Sequence, residues 1–278
     1  MDTPQSKKRQ IAAILFIVLL IGALYFTTLR WLGYEWWTND YYSHGPLVLL
    51  ISALLVWRRR ESLRRTTPAA WGLAPVLLGL ALHFGGLMSK ALYLSALSLP
   101  LVLGGLLAFL LGAPALRSVA FPLAFLWLSI PLPFVEMASV PLQTITAEVS
   151  TAAAVALGIQ ARVQGAQVTL SSCSLQVGAA CSGLRSIVAL LTLDILFVYL
   201  MQGKWWARLT LIALSIPIAI AANFVRVTAL LLIADRWGQD AGLKYFHDYS
   251  SPVLFVVAFL LLILMSWVLR CREIRTDI

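Results

Sequence analysis

Apolar runs of roughly 18 to 20 residues recur along the whole chain, and they constrain its fold more than any other feature. Of the 278 residues, 60% are hydrophobic and only 12% are charged, whereas soluble domains carry about 25% charged residues. A spanning segment must satisfy its backbone hydrogen bonds internally, and these runs lack the two-residue alternation of a lipid-facing barrel strand. The sequence therefore predicts an all-α polytopic membrane protein with about eight transmembrane helices.

The positions of the basic residues indicate how these helices are oriented. A net charge of +9 could suggest nucleic acid, but 14 of the 21 Lys and Arg fall on one side of the membrane when eight helices are drawn. The positive-inside rule makes that side cytoplasmic, together with both termini, so topology accounts for the charge without a nucleic-acid partner. The clusters are Lys7-Lys8-Arg9, Arg58-Arg59-Arg60 with Arg64 and Arg65, Arg117, Lys204 with Arg208, and Arg270, Arg272 and Arg275.

The first half of the chain contains five of the predicted spans. The first, residues 11–29, is read as a retained helix because no small-residue cleavage site follows it. An outer loop over residues 31–46 is rich in Trp and Tyr, which suit a membrane interface, and it contains Asp40 and His44. His83, inside the third span, is predicted to form a hydrogen bond between helices. The fifth span is expected to break at Pro131 and Pro133.

Residues 136–180 are predicted to form an insertion on the outer side of a single membrane domain, residues 1–278. Polar residues interrupt the apolar pattern from Glu136 to Gly158, which indicates an interfacial or re-entrant helix. Residues 161–170 and 174–177 alternate apolar and polar side chains, which is typical of a small β-hairpin. A hairpin leading directly into Cys181 would hold its thiol at a fixed height above the membrane.

Cys181 is the candidate nucleophile. It precedes an apolar run, where the first turn of a helix supplies unpaired N–H groups and the positive end of the helix dipole. Both stabilise a thiolate, and Arg185 at i+4 would add a cationic neighbour on the same face. The other reading is that Cys181 is a small buried packing residue. Of the other cysteines, Cys173 could form a bridge with Cys181, and Cys271 falls on the cytoplasmic side.

Two further residues fall near the outer face in the topology drawn from the charges. Arg226 lies inside the seventh span, three residues after Asn223 on the same helix face, and an arginine there should face a polar cavity or an anion. His247 lies in the last outer loop, and its ordinary pKa suits proton transfer near neutrality. A thiolate, a cation and an imidazole on one side point to acyl transfer. Asp194, inside the sixth span, is predicted to pair with a neighbouring helix instead.

At these residues the chain resembles the exosortase/archaeosortase family. Residues 180–185 (Ala-Cys-Ser-Gly-Leu-Arg), residues 223–226 (Asn-Phe-Val-Arg) and the later His247 are similar to three signature blocks of that family. Residues 40–46, with Ile51-Ser52 and Trp57-Arg58, are similar to its N-terminal block. The four blocks occur in the family's order and cover most of the chain.

The resemblance implies a membrane cysteine protease and transpeptidase that cuts a C-terminal sorting signal through a thioester acyl-enzyme. The signal would be a short Pro-Glu-Pro type motif, one helix and a basic tail. Cys181 is carried over as the nucleophile, Arg226 as the catalytic arginine and His247 as the general acid or base. A histidine at the third position favours the bacterial exosortase branch. This branch implies the inner membrane, with the active site on the periplasmic side.

The remaining expectations concern auxiliary residues and partners. The candidate auxiliary or substrate-binding residues are Arg185, Asn223, His44, Asp40 and Ser182. The expected partners are membrane-anchored substrate proteins, membrane lipids and a candidate surface acceptor, which is a lipid or a polysaccharide. No cofactor or metal is expected, since the three histidines are far apart and no His-Glu-x-x-His spacing occurs.

Two functions from other classes stay open at the level of the sequence. In the first, the protein is a non-enzymatic membrane component of surface polysaccharide export or assembly, with Cys181 as a packing residue. In the second it is a small-solute transporter, although no inverted repeat or pair of broken helices is visible in the sequence. His44 is the alternative to His247 as the working imidazole.

Overall fold

The computed structural model describes residues 4–63, 67–241, 247–271 and 273–275. The chain forms two compact units, one comprising Met1–Asn39 with Ser43–Pro131 and the other Asp40–Tyr42 with Leu132–Ile278. A single membrane domain over residues 1–278 was predicted from the sequence. The short segment Asp40–Tyr42 belongs to the second unit although its chain neighbours belong to the first.

The described residues of the first unit form helices joined by short turns and loops, with no strand among them. Its α-helices are α1 (Pro4–Leu24), α2 (Phe26–Thr38), α3 (Gly45–Arg58), α4 (Leu73–Met88), α5 (Leu92–Leu111) and α6 (Ala113–Phe125). Short 3₁₀ turns cover Arg60–Leu63, Ala70–Gly72 and Leu126–Ser129. After α6 the chain continues as the 3₁₀ turn to Ser129 and then breaks, with a bend of 48°, before the next helix begins at Pro133. The break predicted at Pro131 and Pro133 is therefore present, and proline favours it because it lacks a backbone donor.

The N-terminal part of the first unit, α1 and α2, differs from the prediction. The predicted first span is bent by 70° between α1 and α2, and α2 continues to Thr38. Residues 31–38 were predicted as an outer loop because of their many aromatic residues, but the backbone there is helical. The helix is held at its far end by Trp36, whose indole N–H donates to the carbonyl of Ser129 at 2.8 Å.

Helices α4 and α5 form a closely packed hairpin. A Cβ on Gly105 would lie 2.7 Å from Val76 Cγ2 and 2.8 Å from the Gly72 carbonyl oxygen, so only glycine allows this approach. His83 on α4 lies fully buried, and its Nδ1 is 2.7 Å from the Ser95 hydroxyl on α5. The predicted interhelical hydrogen bond of His83 is therefore confirmed.

The second unit combines helices with a small sheet. Its α-helices are α7 (Pro133–Met137), α8 (Ser139–Ala156), α9 (Leu184–Leu200), α10 (Trp205–Trp237) and α11 (His247–Val268). The strands β1 (Ala161–Gln164), β2 (Gln167–Leu170) and β3 (Ser174–Gln176) form an antiparallel sheet in the order β1-β2-β3. The predicted hairpin is thus present, and the second predicted segment adds a third strand to it.

The structure confirms a broadly all-α polytopic chain. Within the described residues, three helices are long and apolar enough to cross a membrane, or up to five when two bent helix pairs each count as one span. About eight spans were predicted from the sequence, because each apolar run was taken as one span. Two of those runs form apolar helices that are shorter than a bilayer requires, Gly45–Arg58 and Pro252–Val268.

Candidate active site

Cys181 lies in a short 3₁₀ turn, Ala179–Cys181, between β3 and α9. Its backbone N–H donates to the Gly178 carbonyl at 2.9 Å, and the residue is 8% exposed. The expectation that Cys181 occupies the first turn of a helix is wrong, because α9 begins only at Leu184. The turn that contains Cys181 is separated from α9 by Gly183, whose left-handed conformation (φ 81°) interrupts the helix geometry.

The sheet packs against this turn. Val168, Leu170, Leu175 and Val177 form one buried apolar cluster together with Cys181 and with residues of α8 and α10. The N–H of Val177 also donates to the Ala166 carbonyl at 2.8 Å, which continues the sheet pairing beyond β3. The sheet therefore fixes the chain immediately before the cysteine, as the sequence suggested for the hairpin.

Asn223 on α10 binds the backbone of the cysteine. Its Nδ2 donates to the Cys181 carbonyl oxygen at 2.9 Å and lies 3.4 Å from the hydroxyl of Thr146 on α8. The residue is 4% exposed. The sequence proposed Asn223 only as an auxiliary residue on the face of Arg226. Its contact with residue 181 depends on how α10 packs against the turn, which local sequence pattern does not reveal.

Arg226 follows three residues later on α10 and is buried, with 4% of its surface exposed. Its neighbour Val227 belongs to the same apolar cluster as Cys181. Arg226 and Asn223 also line a cleft between α9, α10 and α11, whose other walls are Ser186 and apolar side chains such as Leu190 and Phe255. The cleft has a volume of about 10 Å³, which holds one water-sized group. A buried guanidinium in an apolar helix bundle suits the stabilisation of an anionic or strongly polar group.

Arg185 and Ser182 have other contacts than the sequence suggested. Arg185 is exposed, and its Nη1 lies 3.8 Å from Asp40 Oδ1. The expectation that Arg185 shares a helix face with Cys181 fails because the residues between them are not helical. Ser182 donates to the Ala179 carbonyl at 2.7 Å and accepts from the Leu184 N–H at 3.3 Å. It therefore stabilises the turn and the beginning of α9.

The segment Asp40–Tyr42 is anchored within the second unit. The Tyr41 hydroxyl lies 2.9 Å from that of Ser139, and the Tyr42 hydroxyl accepts from the Leu132 N–H at 3.0 Å. Burial raises the pKa of Tyr42 above its usual value, and the nearby carboxylate of Glu136 acts in the same direction. These contacts place Asp40 within reach of Arg185.

The two candidate imidazoles are placed differently. His247 begins α11, and its side chain lies outside the described residues. His44 belongs to the first unit, at the start of α3, with Nε2 3.3 Å from the Leu128 carbonyl oxygen. Burial lowers the pKa of His44, so the ring is neutral at physiological pH and donates to that carbonyl through Nε2.

Asp194 and the remaining cysteines form no hydrogen bond with the cysteine turn among the described residues, although Cys173 packs against the buried cluster that contains Cys181. Asp194 on α9 is fully buried, and neither carboxylate oxygen has a hydrogen-bond partner within the described part of the chain. The predicted pairing of Asp194 with a neighbouring helix is therefore not observed. All three cysteines are free, so the alternative of a bridge between Cys173 and Cys181 is not realised in this structure.

These features define a polytopic membrane protein with a thiol site at the junction of a small sheet and a helix bundle. The model of the transmembrane exosortase family matches residues 36–264, and the chain belongs to that family. Membership supports a membrane transpeptidase-type role in general. The chain has no significant match among curated proteins or among solved structures.

Proposed function

We propose that this exosortase cleaves a C-terminal sorting signal of exported proteins through a thioester on Cys181. The observation that carries the proposal is the hydrogen bond from Asn223 to the Cys181 carbonyl, at 2.9 Å. It ties the cysteine turn to the helix that carries the buried Arg226. The thiol and the guanidinium thus belong to adjoining, mutually fixed elements, as a nucleophile and an electrostatic stabiliser require.

The reaction begins when the Cys181 thiolate attacks the carbonyl carbon of the scissile peptide bond. Negative charge develops on the carbonyl oxygen, and Arg226 stabilises it or the thiolate through charge-assisted hydrogen bonds. The C–N bond then breaks, and His247 supplies a proton to the departing amine. An acceptor, either water or a hydroxyl or amine of a surface molecule, then attacks the thioester carbonyl and gives its proton to His247. The C–S bond breaks and releases the thiolate.

Family membership and the site support the proposed substrate class. A signal that combines a Pro-Glu-Pro type motif with a transmembrane helix and a basic tail would enter laterally from the bilayer. The polar motif of the signal would meet the buried Arg226 at the cleft between α9, α10 and α11, which has room for a water-sized group and not for the signal itself. We place the site on the periplasmic side of the inner membrane, because the basic clusters of the chain assign the other side to the cytoplasm.

The auxiliary residues have separate tasks in this proposal. Ser182 shapes the turn, and Asn223 fixes it on α10. Arg185 and Asp40 form an exposed ion pair near the turn, and either partner can bind a charged residue of the signal. His44 is neutral and hydrogen-bonded at the start of α3, which suits a structural role better than proton transfer.

The proposal is tested with Cys181→Ala and Cys181→Ser in cells that express a tagged protein with a Pro-Glu-Pro C-terminal signal. In cells with either variant, the unprocessed tagged protein is expected to accumulate, although the variant enzyme is present in the membrane at the wild-type level. A control variant, Cys271→Ser, changes a cysteine that is buried next to Gly203 and far along the chain from the site. Continued processing in both Cys181 variants would reject the nucleophile and leave a non-enzymatic role in surface export.

A further inference from the structure

Asn223 contacts the cysteine turn at two points. Its Nδ2 donates to the carbonyl oxygen of Cys181 at 2.9 Å. A Cβ built on Gly183 would lie 2.8 Å from Asn223 Cγ and 2.9 Å from Nδ2, so the amide packs directly against the Cα of Gly183. The two contacts lie on either side of Ser182. Together they restrict the turn that carries the thiol.

Chemistry fixes the orientation of the amide. The Cys181 carbonyl oxygen can only accept, so the amide must present its NH₂ group to it and its oxygen elsewhere. The hydroxyl of Thr146 on α8, at 3.4 Å, lies on the NH₂ side as well. The oxygen Oδ1 is buried without a hydrogen-bond partner among the described residues. The amide thus keeps a costly orientation in which its donor faces the cysteine turn.

The position of Asn223 on α10 links the turn to the cation. Arg226 lies at i+3 on the same rigid helix, so it shares a face with Asn223. Any movement of the turn away from Asn223 changes the distance from the thiol to the guanidinium. Asn223 itself has a neutral side chain and cannot act as the nucleophile or as the acid in this chemistry.

We infer that Asn223 is a positioning residue, which clamps the Cys181 turn against α10 and thereby holds the thiol in register with Arg226. Its importance for turnover rests on the proposed function. The clamp itself is a property of the protein and can be measured without a substrate. Loss of the amide donor should release the turn, expose the thiol and misalign it.

The test measures how fast iodoacetamide alkylates each cysteine in the purified protein in detergent or nanodiscs, resolved by mass spectrometry. Asn223→Ala and Asn223→Asp are expected to accelerate alkylation of Cys181 about tenfold, the effect of losing one buried hydrogen bond. Cys271 serves as a probe of the fold, because it is fully buried and burial raises the pKa of its thiol. Alkylation of Cys271 should stay slow in every variant that keeps its fold.

Ser150→Ala is the matched control. The Ser150 hydroxyl is also fully buried, and it donates from α8 to the Phe224 carbonyl of α10 at 3.4 Å and not to the cysteine turn. If loosening of α8 against α10 were the cause, this variant would accelerate Cys181 alkylation as much as the Asn223 variants. The inference predicts a change of less than about twofold, since only a weak, long hydrogen bond is lost.

The pH dependence separates the clamp from a general packing effect. In Asn223→Asp the ionised carboxylate cannot donate to the Cys181 carbonyl, but the protonated acid can. The alkylation rate of this variant, divided by the wild-type rate, should therefore fall towards one as the pH is lowered. The same ratio for Asn223→Ala should stay constant. Equal pH behaviour of the two variants would contradict a clamp that acts through a donated hydrogen bond.

Besides equal pH behaviour of the two Asn223 variants, three results overturn the inference. The first is an unchanged Cys181 rate in both Asn223 variants, and the second is an equal acceleration in Ser150→Ala. The third is a parallel rise in Cys271 alkylation, which would show that Asn223 supports the fold of the unit rather than the turn. Processing of the tagged signal is measured separately and should fall at least about tenfold with the clamp lost. If wild-type protein processes no signal, the proposed function fails while the alkylation result still decides the clamp.

Discussion

Substitution of Gly183 by alanine, which adds a single methyl group, should slow the processing of the tagged signal strongly. At φ 81° an L-residue costs about 1–2 kcal/mol relative to glycine. The new Cβ would also lie 2.8 Å from Asn223 Cγ, so the amide must move away from the Cys181 carbonyl. The buried hydrogen bond lost in this way costs about another 1–3 kcal/mol.

The two terms sum to at least about 2 kcal/mol, which corresponds to a reduction of about 30-fold in the population of the aligned turn. We therefore expect Gly183→Ala to process the tagged signal about 30-fold more slowly than wild type, measured by pulse–chase at equal amounts of membrane-inserted protein. The cost falls on the turn and not on the helices, so the protein should still insert and remain folded.

Two other glycines provide matched controls. Gly158 also has a positive φ, 96°, but a Cβ there meets nothing within 4 Å, so Gly158→Ala has the backbone strain without the clash. Gly178, three residues before Cys181, has an ordinary φ of −79° and open space as well. Both alanine variants should process the signal at close to the wild-type rate. Wild-type processing by Gly183→Ala, or an equal loss in Gly158→Ala, would refute the reasoning.

Three further predictions concern other parts of the chain. Arg226→Lys keeps the charge but loses the planar fork, so processing should fall at least about tenfold; an unchanged rate would show that charge alone suffices. Burial holds the pKa of His44 below 6.5 in the folded protein, so as the pH falls the unfolded chain is protonated at a higher pH than the folded protein. Thermal stability should therefore decrease as the pH falls below 6.5. His44→Gln should flatten this dependence, and an unaltered slope would exclude His44. Gly105→Ala should destabilise the α4–α5 hairpin by about 1–3 kcal/mol, whereas Gly85→Ala, with nothing within 4 Å, should not; equal melting temperatures would contradict the close packing.

The fold could be predicted from the sequence wherever one local signal dominated. Pro131 and Pro133 ended a helix, alternation located the sheet, and a polar His83 inside an apolar run required a partner on the next helix. The aromatic segment before Asn39 was misread, because many Trp and Tyr residues indicate an interface without distinguishing a loop from a helix. Within the described residues, three to five candidate spans meet the length and composition of a membrane helix, fewer than the eight apolar runs, since an apolar run does not fix the length of the helix that it forms.

The candidate site was less predictable because it depends on contacts between distant residues. The motif located Cys181, Asn223 and Arg226, but a helix that starts at the cysteine is the natural reading unless Gly183 is known to be left-handed. The pairing of Arg185 with Asp40 and the hydrogen bond from Asn223 to residue 181 join residues far apart in the chain. No motif marks Thr146 on α8 as a site residue, and only the packing of α8 on α10 reveals its contact with Asn223.

The account depends most directly on whether Cys181 carries the acyl group. Wild-type protein is incubated with a synthetic Pro-Glu-Pro signal peptide, quenched in acid and digested, and the fragment that contains Cys181 is examined by mass spectrometry. The account predicts a mass increase equal to the N-terminal part of the peptide, located on Cys181, removed by hydroxylamine and absent from Cys181→Ala. Cleavage of the peptide without such an adduct, or an adduct that persists in Cys181→Ala, would contradict it.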